Sequence, residues 1–81
     1  MKIEERVSKS IAVFNANVAK AEGIELDGAE AEILELAKMY ASDAVSWSGK
    51  GDYVTAFSGI EYAHGLLDAI LKIEEGKRGS P

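Results

Sequence analysis

Apolar residues recur along this chain at helical spacing in three separate stretches. In the first, Ile3, Val7, Ile11, Phe14, Val18 and Ala21 follow one another at intervals of three or four, which places them on one stripe of a helix over about Lys2 to Glu22. Glu4 and Glu5 occupy its first turn, where the helix dipole favours anions, and Glu5 precedes Lys9 at the i,i+4 spacing of a helical ion pair. Gly23 predicts a left-handed cap with Ile24 in apolar contact beside it. The second stretch opens at Asp27, an N-cap residue whose capping box is completed by Glu30, and predicts a helix from Gly28 to Ser48. Here Ile33, Leu36, Ala37, Tyr40, Ala44 and Trp47 share an arc of about 100°, with Leu34, Ala41 and Val45 on a second arc beside it. Two apolar arcs predict two packing neighbours for this helix. Glu32, Glu35, Ser42 and Ser46 form its solvated side, and Glu30 lies off the predicted core face.

The run Gly49-Lys50-Gly51-Asp52 stops one helix and starts the next, with Asp52 as the N-cap of a third helix from Tyr53 to Glu75. Its main stripe is Ala56, Ile60, Ala63, Leu67, Ile70 and Leu71. A second set, Tyr62, Leu66, Ala69 and Ile73, lies on another side, so this helix carries more apolar surface than one neighbour covers. Gly59 and Gly65 interrupt it and are explained by close approach of a helix or a partner, since each costs about 1 kcal/mol relative to alanine in an exposed helix. Residues 76–81 lack periodicity and are expected to form a flexible tail after a single domain over residues 1–75. Three helices of roughly 30 Å each, joined by short connections, predict an all-α, antiparallel, up-down-up three-helix bundle.

Composition narrows the function by exclusion. Eighty-one residues make one small domain. Without cysteine there is neither a disulfide framework nor a thiolate site. Fourteen acidic against nine scattered basic residues, a net charge of −5, argue against a nucleic-acid partner. No apolar run reaches the roughly 20 residues that span a bilayer, and the charged N-terminus does not read as a signal peptide; a cytoplasmic protein without membrane contact is expected. Gly49-x-Gly51 lacks the lysine-serine/threonine ending of a phosphate loop.

The hairpin of helices two and three resembles one tetratricopeptide unit. Tyr40, Ala44 and Trp47, followed across the turn by Ala56, Ile60 and Ala63, repeat its alternation of small residues at the helix crossing with large ones beside it. More specifically, Tyr40, Asp43-Ala44, Gly51-Asp52-Tyr53-Val54-Thr55-Ala56-Phe57, Tyr62-Ala63, Gly65 and Leu67-Asp68-Ala69 resemble an archaeal family of small helical proteins, domain of unknown function 357. His64 stands where that family commonly has an aromatic residue, and Ser46-Trp47-Ser48 replaces a more aromatic and charged stretch. The resemblance implies a three-helix bundle in an archaeal cytoplasm, and it brings no catalytic residue and no cofactor.

Two sets of residues carry candidate function. Glu61-x-x-His64, with Asp68 one turn further, has the spacing of carboxylate-histidine metal ligands in helical bundles and defines a metal-dependent or hydrolytic alternative. The simpler reading is an edge histidine beside a solvated glutamate, because a di-metal site needs a second such motif and the chain has one histidine. Asp43 and Asp68 are expected to accept tyrosine hydroxyls or, for Asp68, to pair with Lys72. Tyr62, Gly65, Leu66, Ala69 and Ile73 form the other set, an interface for a second copy or another helical protein. The expectation is therefore a non-enzymatic interaction module with a protein partner, no cofactor and no bound metal.

Overall fold

The computed structural model describes residues 1–78 and contains three helices, α1 (Ile3–Glu22), α2 (Gly28–Gly49) and α3 (Tyr53–Lys77), packed as an antiparallel bundle. The N-caps form as their sequences dictate. The backbone N–H of Glu30 donates to Asp27 Oδ1 at 2.8 Å, while the Asp27 N–H donates to Glu30 Oε1 at 3.1 Å, a complete capping box. Asp52 accepts the Thr55 N–H at 3.1 Å and the Thr55 hydroxyl at 2.8 Å. These two donors lower the Asp52 carboxyl from its usual range.

Between α2 and α3 the chain turns through a Schellman motif. The Asp52 N–H donates to the Trp47 carbonyl and the Gly51 N–H to the Ser48 carbonyl, each at 3.0 Å. This geometry needs a left-handed residue, and Gly51, with φ of 83°, supplies it. Asp52 thus closes one helix with its backbone and opens the next with its side chain. The corresponding expectation for Gly23 is corrected: its φ is −83°, and α1 ends in a right-handed turn with Ile24 N–H bonded to the Ala21 carbonyl. α3 runs two residues past the expected Glu75, so Gly76 and Lys77 are helical. The rest of the expected tail, residues 79–81, lies outside the described residues.

The core follows a seven-residue repeat. Ala56, Ile60, Ala63, Leu67 and Ile70 are buried on α3, Leu34, Ala37, Ala41 and Ala44 on α2, and Val7, Phe14 and Ala21 on α1. Steps of three and four are those of helices packing knob into hole at a shallow angle. α3 is the central element, packing against both other helices, whereas α1 and α2 meet only slightly. α2 does touch both neighbours, as expected, but its contact with α1 is slight, and the helix between the other two is α3. The molecule is correspondingly flattened, with extents of 42 × 24 × 16 Å.

The line of α2 that faces α3 is mostly alanine. Short side chains let the axes come close, and a β-carbon built on Gly59 would sit 3.6 Å from Ala44 Cβ and 3.7 Å from the Tyr40 carbonyl oxygen. Leu36, Tyr40 and Trp47, expected in the core, are instead 37%, 37% and 41% exposed. The alanine line fills the narrow space between the helices, so the larger residues of the same arc are turned outward. The small residues of the tetratricopeptide-like pattern are buried at the crossing as expected, and its aromatic members are not.

Candidate functional site

Two surface features contain the residues singled out by the sequence. The first is a groove of about 510 Å³ between α1 and α3, lined among others by Arg6, Ser10, Phe57, Glu61, His64 and Asp68. The i,i+3 and i,i+4 spacings of α3 bring Glu61, His64 and Asp68 to this groove, as expected. What they do there is set by Ser10. His64 Nε2 lies 2.8 Å from the Ser10 carbonyl oxygen, which only accepts, so Nε2 carries a proton and donates. The Ser10 hydroxyl donates to Glu61 Oε2 at 3.1 Å. The imidazole also meets the buried Phe14 ring edge-on, with centroids 5.6 Å apart. Both candidate ligands are therefore engaged in fastening α3 to α1, and the described residues contain no group of three or more histidine or acidic side chains close enough to hold a metal ion.

Asp68 is exposed and makes no hydrogen bond or ion pair among the described residues, so the expected pairing with Lys72 does not form; nor does the Glu5–Lys9 pair. Asp43 is likewise exposed, and neither tyrosine hydroxyl reaches it.

The second feature is an apolar seam along α2 and α3, on the side of α3 turned away from α1. Tyr62 is 52% exposed and Ile73 48%, while Leu66 is half-buried against the core and Gly65 and Ala69 are exposed. These are the interface residues expected from the sequence; four of them are exposed, and Leu66 is shared between this side and the core. α1 covers the opposite flank of α3 through Phe14 and His64 and leaves this one free. A β-carbon built on Gly65 would meet nothing within 4 Å, so no close approach within the chain accounts for that glycine. α2 extends the seam. The Tyr40 ring stands edge-on to Tyr62, with centroids 4.7 Å apart and planes at 71°. Beyond them a cleft of about 350 Å³ runs toward the corner, with Trp47 and Asp43 on its wall. Tyr40 and Trp47 are the part of the surface that the helical wheel missed, because it merged them with the alanine line; the steps 30, 34, 37, 41, 44 separate the two.

A polar cluster at the far end was also missed. Glu30 and Glu74 are buried, and Lys77 joins them: its ammonium lies 3.0 Å from Asp27 Oδ2, 3.0 Å from Glu30 Oε1 and 3.1 Å from Glu74 Oε2. Glu30, expected to be solvated, is drawn inward by its capping role and by this lysine. Hydrogen bonds to Glu30 and Asp27, with the ion pair to Glu74, raise the Lys77 ammonium well above its usual range. Asp27 is lowered by the Glu30 backbone N–H and then by Lys77, and Glu74 by its side-chain contact with Glu30 and then by Lys77. The only sequence signal for this cluster was a lysine in a segment without periodicity.

The geometry defines a small helical bundle in which Ser10 with Glu61 and His64, and Lys77 with its carboxylates, hold helices together, and whose apolar seam is left uncovered by the described residues. The chain belongs to the family described as proteins of unknown function, DUF357, whose model matches residues 5–74. No curated protein matches the sequence. None of the helices of the described residues is long and apolar enough to cross a membrane.

Proposed function

We propose that this protein is a non-enzymatic interaction module that docks a second copy or another helical protein on the α2/α3 seam. One observation carries the reading: with the core complete, Leu36, Tyr40, Trp47, Tyr62 and Ile73 still present large apolar side chains on one side of the hairpin. Contiguous apolar surface of that kind marks contacts, and tyrosine and tryptophan are enriched in them. The glycine and alanine at Gly65 and Ala69 permit close approach of a helix. An archaeal, cytoplasmic setting fits this reading.

Gly65→Leu tests it with effects of opposite sign. Its side chain enters open space in the isolated chain and removes a helix-interior glycine, so helicity and thermal stability should hold or rise. Association, followed by sedimentation equilibrium over a wide concentration range and by cross-linking through a photoreactive residue at position 62, should be lost. Association unchanged in the variant would remove the seam as the docking face.

A further inference from the structure

We infer that the cleft at the corner end of the seam receives a cationic side chain, lysine or arginine, from the protein docked there. The inference rests on the interaction reading and adds the chemistry of the partner. Three aromatic rings, Tyr40, Trp47 and Tyr62, border a space of about 350 Å³ that is closed below where Ala44 meets Gly59. Aromatic ring faces carry negative potential and attract ammonium and guanidinium groups. Trp47 already attracts one such group, Lys50, whose Nζ stands 4.9 Å from the ring centroid; Lys50 is not among the residues lining the cleft.

Asp43 decides what kind of guest the cleft takes. It lies one turn from both Tyr40 and Trp47, lines the same space, and has no hydrogen-bonding or ionic partner among the described residues. An anionic guest would be repelled by its carboxylate and by the net charge of −5. A purely apolar guest would strip water from a carboxylate and give nothing back. A cation on an aliphatic stem satisfies every wall: the stem lies along the rings, continuing the apolar contact of Leu66 and Ile73, and the charge reaches Asp43. The partner surface therefore consists of apolar side chains with one basic residue set at the end of their row.

Trp47 is the only tryptophan, so its fluorescence and its indole N–H resonance report on the cleft directly. In titrations with n-butylammonium and n-butylguanidinium, saturable shifts at Trp47, Tyr40 and Tyr62 are expected, with 1-pentanol, a neutral alcohol of similar length, binding about three- to fivefold more weakly. Asp43→Asn, at an exposed position, should weaken the cations by a similar factor and leave pentanol unchanged, while Tyr62→Leu should weaken both. Equal binding of the cations and pentanol, or of the cations to wild type and Asp43→Asn, overturns the inference. A second arm uses amphipathic helical peptides that differ only in carrying Lys, Gln or Glu at the end of one apolar row. Affinity in the order Lys, Gln, Glu supports a cationic partner residue, and equal affinity for Lys and Gln overturns it while leaving the seam a docking face. If no peptide binds and the chain does not associate, the interaction reading itself fails. If the chain associates alone and Asp43→Asn weakens that association, the basic residue belongs to a second copy.

Discussion

Gly51 and Gly65 are the same residue placed under opposite demands. Gly51 holds a left-handed conformation inside a Schellman turn, where any β-carbon is strained by roughly 1–2 kcal/mol. Gly65 is an ordinary helical residue with empty space beside it. Gly51→Ala should therefore lower the thermal midpoint by several degrees, since 1 kcal/mol corresponds to about 4–8 °C in a domain of this size, whereas Gly65→Ala should raise it. Thermal melts by circular dichroism of the two variants check both signs. A neutral result for Gly51→Ala would contradict the turn. The sequence pointed to both glycines but distinguished them only in part: Gly51 announced itself by standing between a periodic run and an N-cap, while nothing local separates Gly65, facing solvent, from Gly59, facing Ala44. That distinction comes from how close α2 lies.

At the scale of elements, the α2/α3 hairpin depends on small residues along the crossing. Ala63 is fully buried there, and Ala63→Leu should overpack the hairpin at a cost of roughly 1–3 kcal/mol, read as a lower thermal midpoint. The end of the hairpin depends on charge instead. Asp27 and Glu74 are lowered in the folded state, so their contribution is present above their ordinary values of 3.8 and 4.5 and is lost as pH falls through the folded values. Lys77 is raised, so its contribution is complete below its ordinary value of 10.5 and is lost only as strong alkali deprotonates it in the fold. Between these limits the cluster should add no pH dependence, and the midpoint should fall on acidification below about pH 4.5. Lys77→Met should change the acid limb: Glu74 then faces Glu30 without compensation, its protonation becomes favourable, and stability, lowered at neutral pH, should recover in part on acidification. A Lys77→Met protein with the wild-type acid profile would show that the lysine does not hold this end. Helix identities, the Asp27 and Asp52 caps and the stripe of α3 were legible in the sequence because each is written in residues a few positions apart; the end of α1 at Gly23 was not. The inward turn of Glu30 and the outward turn of Tyr40 and Trp47 were not, because both depend on which of two arcs a neighbouring helix chooses.

The whole molecule is a hairpin with a third helix laid against one of its members. The hairpin is fastened at both ends, by the Gly51–Asp52 turn at one and by Lys77 with its three carboxylates at the other. α1 has no such closure. It is held by the heptad contacts of Val7, Phe14 and Ala21, by Ser10 with its two partners on α3, by Arg6 over the Phe57 ring, and by the Glu22–Lys38 ion pair to α2. The unequal attachment divides the bundle into cooperative units. Release of α1 exposes one flank of α3 and leaves both hairpin fastenings in place, so it requires less free energy than opening the hairpin. In native-state hydrogen exchange, amides of α1 should exchange through a partial opening with a shallow dependence on denaturant, while those around Ala44, Ala56 and Ile60 exchange only on global unfolding. One common isotherm for all three helices would mean that the bundle opens as a single unit. With α1 detached, the seam on the opposite flank of α3 should stay assembled, so the proposed docking face would outlast the release of α1.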